Sequence, residues 1–150
     1  IRMLWTAVIS TLLIVSVSAQ DYSVCDAYSL LESTTLCGPT GYALNYGLPV
    51  CKKFVDNRSL FNTKGKAFLD CARPCLANYV SANITGVITD CTAIKDAAFA
   101  SHVPCYQQCG FCQVAFSNLG AFSKTFKASD LFSEDANGQV LQIASSCIGK

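Results

Sequence analysis

The sequence predicts an all-α, compact, disulfide-rich domain of about five to six short helices, and three observations predict it. Ten cysteines stand in a chain of 150 residues, all of them after an apolar opening stretch. Apolar residues recur at i, i+3, i+4 and i+7 in several separate segments, and strict alternation never persists for more than a few positions. Two cysteine spacings also match, Cys71-x3-Cys75 and Cys105-x3-Cys109, with Cys112 a further turn along. A spacing of four on an α-helix puts both thiols on one face. In an antiparallel helix pair a step forward on one helix is a step back on the other, so bonded residues share one sum of residue numbers. Cys71 with Cys109 and Cys75 with Cys105 satisfy that condition, and two disulfide rungs clamping an antiparallel helix pair are expected.

The compartment follows from the start of the chain. Residues 4–18 are almost wholly apolar, with Arg2 before them and the small residues Val17, Ser18 and Ala19 at the end. This is the pattern of a secretory signal peptide, expected to span residues 1–19 with Met3 as the translation start and cleavage after Ala19. The run is shorter than the roughly 18 to 20 apolar residues a spanning helix needs, so no membrane insertion is expected after cleavage. Residues 20–150 then suit one domain of ordinary size. An even cysteine count in an oxidising compartment implies five disulfides. Removing Arg2 from the 11 Lys and Arg leaves ten against ten Asp and Glu, without a long run of either sign. That balance weighs against nucleic acid or an anionic membrane as partner.

Taken in order, Ser23 offers a hydroxyl cap to a first helix that carries apolar residues at 24, 27, 28, 30 and 31 and ends near Ser33. Two glycines and a proline in Cys37-Gly-Pro-Thr-Gly41 predict a turn, with little regular structure as far as Pro49. A second helix spans 50–60, its apolar stripe opposed by Lys52, Lys53, Asp56 and Arg58. Asn62 or Thr63 caps a third helix whose apolar positions are 68, 69, 72, 76, 79 and 80. Pro74 inside it removes a backbone bond at a cost of about 3 kcal/mol and predicts a kink or restart. A fourth helix is expected over 85–100 and a fifth from Pro104 at its first position through Phe116, weakened at Gly110. A short aromatic segment at 122–126, a polar turn at 133–138 and a last helical piece at 140–147 complete the chain.

Catalytic and metal chemistry find little support. Hydrolysis by a Ser-His-Asp or Cys-His set needs a histidine base, and His102 is the single histidine. Cys109-Gly-Phe-Cys112 is a C-x-x-C without the preceding strand that thioredoxin chemistry requires, so the two cysteines are expected to bond different partners. A metal site would need several cysteines left unbridged. Asp130, Glu134, Asp135 and Asn137 lack the ordered spacing of a calcium loop. No enzyme activity, cofactor or metal is expected. Two sequons, Asn57-Arg-Ser59 and Asn83-Ile-Thr85, are candidate glycosylation sites, with Asn83 favoured because it falls at a helix junction. Lys52, Lys53, Lys64, Lys66 and Arg73 form the one local excess of positive charge, suited to an acidic partner protein.

Cys51-Lys-Lys-Phe54, Phe61-Asn-Thr-Lys-Gly65-Lys-Ala-Phe68 and Cys75-Leu-Ala-Asn78 resemble, in order and spacing, the central signature of the stanniocalcins. The Gly-Lys-Ala-Phe stretch is the most specific part. Cys91, Cys105-Tyr106, Cys112 and Cys147 fall where that family's later cysteines stand, so the resemblance runs from about Cys25 to Cys147. It implies a secreted, largely helical, disulfide-bonded glycoprotein hormone of calcium and phosphate balance, some members of which inhibit pappalysin metalloproteinases. It also implies the bridges Cys25–Cys51, Cys37–Cys91, Cys75–Cys105 and Cys112–Cys147. Cys71 and Cys109 have no counterpart in the vertebrate pattern and are left to each other, which agrees with the rung inferred from the shared sum.

Departures qualify the carry-over. The family's dimerising cysteine lies in a longer C-terminal tail, which weighs against a covalent homodimer here. Gly86 stands where one branch has a cysteine for covalent capture of its proteinase, so covalent inhibition at that position is not expected. The expected function is that of a non-catalytic extracellular ligand for a protein receptor or proteinase. The exposed face of the third helix, with Lys64, Lys66 and Arg73, is the candidate contact surface. Two other classes compete. A saposin-like lipid carrier would line a cavity with the aromatics at 111, 116, 122, 126 and 132. A twin C-x3-C protein of the mitochondrial intermembrane space is opposed by the leader and the six additional cysteines.

Overall fold

Helix periodicity in the sequence becomes seven α-helices and no strand among the described residues, which in this computed structural model are 21–126, 143, 145, 147 and 148. They are α1 (Asp26–Thr35), α2 (Leu48–Asp56), α3 (Thr63–Asn83), α4 (Cys91–Ala100), α5 (His102–Gln108), α6 (Phe111–Val114) and α7 (Leu119–Thr125). The expected leader at 1–19 and the polar turn at 133–138 lie outside the described residues. So does most of the expected last helical piece, of which Ile143 and Ser145 are helical and Cys147 lies in a turn.

The 21-residue α3 is the shaft of the fold. Asn62, extended in backbone, starts it by accepting the Gly65 amide on its side-chain oxygen at 2.9 Å, which supplies one of the bonds the first turn lacks. Its buried residues Phe68, Leu69, Ala72, Leu76, Ala77 and Val80 form one apolar stripe. Phe68, Leu69, Ala72 and Leu76 enter a core cluster with Phe54, Phe61, Tyr106, Val114, Phe122 and Ile143. Val80 and the following Ile84 enter a second cluster with Tyr28, Leu31, Tyr42, Val55, Ile94 and Phe99. Helix α2 also serves both, Val50 and Phe54 facing the first cluster and Cys51 and Val55 the second. The α3 helix is continuous through Pro74, so the expected restart does not occur.

Several boundaries differ from the sequence reading for identifiable reasons. Helix α1 runs on to Thr35 while the Ser33, Thr34 and Thr35 hydroxyls bond back to the carbonyls of Leu30 and Leu31. Leu36 closes it in the left-handed conformation at φ 52°. The supposed loop before Pro49 holds a π-helical turn, Ala43–Gly47, that runs directly into α2. Gly47 permits it, because a Cβ there would lie 2.5 Å from the Tyr28 ring. Pro49 falls in the first turn of α2, where a missing amide costs little. At its other end α2 stops at Asp56 rather than 60, and Arg58–Leu60 is a separate short 3-10 turn.

Helix α4 begins at Cys91 rather than 85. The Asp90 carboxylate accepts the Ala93 amide at 2.8 Å, and Gly86 at φ 75° turns the chain before it. The expected fifth helix starts at His102 and breaks at Gly110, φ 78°, into α5 and α6. The aromatic segment at 122–126 belongs to α7, which begins at Leu119 and ends at Thr125.

Candidate protein-binding surface

All ten cysteines are bonded: Cys25–Cys51, Cys37–Cys91, Cys71–Cys109, Cys75–Cys105 and Cys112–Cys147. These are the two rungs of the shared sum, one of which the resemblance also implies, and the three other bridges that the resemblance implies. The rungs join α3 to α5 and its cap, with Cα separations of 5.6 and 5.7 Å. Cys112 does not prolong their row. Gly110 reverses the chain after Cys109, so Cys112 sits on α6 and reaches Cys147 instead. Cys109 and Cys112 thus have different partners, and neither is available as a redox pair.

The clamp holds α3 rigidly and leaves part of its surface to solvent. Lys64 is exposed in the first turn, Lys66 is half-buried one position beyond Gly65, and Arg73 is half-buried two turns further on. At 100° per residue Lys66 and Arg73 share a stripe with Asp70, whereas Lys64 points to another side. The structure therefore brings two of the three residues together. Arg58 makes a two-pronged contact with Asp70, at 2.9 and 2.5 Å, and holds the Asp70 carboxyl below its ordinary pKa. Both side chains are about half exposed, so the pair is worth about 0 to 1 kcal/mol. Arg73 Nη2 donates to the Asp21 carbonyl at 2.9 Å. Burial lowers the guanidinium from its ordinary value, and the Asp21 and Asp70 charges oppose that. Arg73 is thus partly a structural tie for the start of the domain.

A shallow open groove of about 340 Å³ runs between Val24, Ala27 and Leu30 and the α3 residues Ala77, Asn78 and Ser81. Of the two sequons, Asn83 is exposed at the last residue of α3, its amide donating to the Tyr79 carbonyl at 3.2 Å. Asn57 caps α2 half-buried, with its amide 3.4 Å from the buried Thr125 hydroxyl.

Three of the aromatics that a lipid carrier would use lie within the core or pack against it. Phe111, Phe122 and Phe126 pack against Phe54, Phe61, Phe68 and Tyr106 at ring-centre distances of 5.0 to 6.0 Å. Phe116 is the exception, 83% exposed, and Phe132 lies outside the described residues. An interior gap of about 10 Å³ between Tyr28, Tyr42, Tyr106 and Arg73 is the size of one water and far short of an acyl chain. Among the described residues no helix is long and apolar enough to cross a membrane. None of their His, Cys, Asp and Glu side chains group in threes around a possible metal site.

Comparison with known proteins gives the lineage. No solved structure matches the chain. Mouse (Mus musculus) stanniocalcin-2 is 24% identical over 98 residues, an alignment covering 65% of this chain and 33% of that protein. The chain thus spans about a third of the length of the curated relative it matches. The family model described as the stanniocalcin family matches residues 9–149. With nearly the whole sequence inside that match, and the bridges that family resemblance implies present in the structure, the chain belongs to the stanniocalcin family.

Proposed function

We propose that this protein is a secreted, hormone-like regulatory ligand that works by binding another protein and not by catalysis. The observation that carries the reading is the family match over residues 9–149. The rigid α3 surface left free by the disulfide clamp supports it, because a preordered surface loses little entropy on binding. Its partner is an extracellular receptor or a proteinase, and its physiological role is control of calcium and phosphate or of proteolysis. Asn83, exposed at a helix end, is the glycosylated sequon; Asn57, held against Thr125, stays unmodified.

Expression in animal cells with the full leader tests these points together. The protein is expected in the medium, with a glycosidase-sensitive mass that Asn83→Gln removes and Asn57→Gln leaves. Purified protein is expected to bind saturably to cell surfaces or to inhibit a pappalysin-type metalloproteinase in a peptide-cleavage assay. Retention inside the cell, or delivery of bound lipid with neither of those activities, would overturn the reading.

A further inference from the structure

The fold displays an apolar knob built from two stretches of sequence that carry no acidic residue. No Asp or Glu occurs between Asp96 and Asp130, nor between Asp56 and Asp70. The structure packs these two acid-free stretches against each other. Asn118, itself buried, accepts the Asn62 amide at 2.9 Å and donates to the Val114 carbonyl at 2.9 Å. Gly65 lets the two stretches approach, since a Cβ there would lie 2.6 Å from the Asn118 oxygen. On either side of this junction apolar side chains stand in solvent: Phe116 is 83% exposed, Leu119 60% and Leu60 47%. Lys64, beside Gly65, and Lys124, on α7, are exposed on the same two stretches. Residues 116, 119, 120, 123 and 124 follow helical spacing and are all exposed, so no described residue covers the outer face of this segment.

We infer that Phe116, Leu119 and Leu60, with Lys64 and Lys124, form a docking surface for a protein that offers an apolar pocket rimmed by carboxylates. The inference rests on the protein-ligand reading above and names its surface and the chemistry of its partner. Exposed aromatic anchors on a fixed backbone are the usual centres of binding energy. The Asn118 bonds hold the turn that carries Phe116, so the anchor is preordered, which a pocket exploits and a fluid surface does not. Two lysines contribute only about 2 kcal/mol to binding an anionic bilayer, too little for stable attachment. A two-fold contact between copies would set Lys64 and Lys124 against positive charge on the other copy, which disfavours self-association through this face.

The test uses the full chain immobilised against a phage-displayed random peptide library. Selected peptides are expected to combine an aromatic or aliphatic anchor with Asp or Glu. Their affinity should fall at least tenfold with Phe116→Ser, and again with the separate variant Lys64→Glu/Lys124→Glu, and change less than twofold with the groove control Leu30→Ser. Circular dichroism should show the same melting temperature for all. Peptides that bind equally to Phe116→Ser would overturn this surface and leave the protein-ligand reading standing; a library yielding no binder would count against both. Sedimentation with phosphatidylserine vesicles that Phe116→Ser abolishes would assign the knob to lipid. A dimer in sedimentation velocity that the same change dissociates would assign it to a second copy. Either result would overturn the proposal.

Discussion

Leu36 shows how one residue can work against the fold that contains it. It ends α1 in the left-handed region at φ 52°, where a Cβ crowds the neighbouring carbonyl, and it is 79% exposed. Its side chain therefore contributes little burial to offset the strain. Leu36→Gly is expected to stabilise the protein by about 0.5 to 1 kcal/mol, partly reduced by the added freedom of the unfolded chain. Thermal unfolding checks it, and a lower melting temperature would show that the leucine is held by contacts worth more than the strain. Phe116 is the functional counterpart. Its spacing from Cys112 is that of the cysteine-bearing face of the expected fifth helix, yet it stands in solvent. Its exposure depends on how the turn after α6 is fixed by Asn118, a contact across 56 residues with Asn62. No local pattern carries that information.

At the scale of elements, the cysteine-bearing helices were the most legible part of the chain, because a spacing of four constrains both the helix and its partner. The π-helical turn before α2 was hidden by Gly47 and Pro49, which read as breakers but act as a close-packing site and a first-turn residue. The break at Gly110 is a tertiary choice, made where the chain must turn to place Cys112 near Cys147. The two rungs yield a prediction of their own. Cys71–Cys109 and Cys75–Cys105 close loops with sequence separations of 38 and 30, one nested inside the other. With one rung in place the other closes only a small additional ring. In the chain-entropy account, removing either pair alone costs about 2 to 3 kcal/mol, and removing both costs roughly 1 kcal/mol more than the sum. Losing Cys75–Cys105 should be the worse single change, because Cys105 is buried and Cys71 is exposed. Denaturant unfolding of Cys71→Ala/Cys109→Ala, Cys75→Ala/Cys105→Ala and the fourfold variant measures it; strictly additive losses would contradict the nested-loop account.

For the whole molecule, the two core clusters share α2 and α3, and tyrosines occupy the seam between them. Tyr28 and Tyr42 belong to one cluster and Tyr106 to the other, and all three border the same small cavity. Burial pushes the Tyr28 hydroxyl up to about 12 and raises Tyr42 and Tyr106 well above the ordinary value of 10.0. Below pH 10 folded and unfolded chains both keep these protons, and the full stability is present. As pH rises from there, the unfolded chain releases protons that the folded one retains, so stability falls by up to about 1.4 kcal/mol per unit for each phenol. Tyr28 alone then removes about 2 to 3 kcal/mol by its folded-state value, already a large part of the total stability of a small domain, and Tyr42 and Tyr106 act in the same direction. Because the seam joins both clusters, its ionisation should unfold them in one step. A pH titration followed by tyrosinate absorbance and helical dichroism is expected to show Tyr28, Tyr42 and Tyr106 ionising only above pH 10 and together with the loss of helix. Ionisation of all six tyrosines at the ordinary value, with the helices intact, would show that the seam is open to water and that the two clusters are not joined through it.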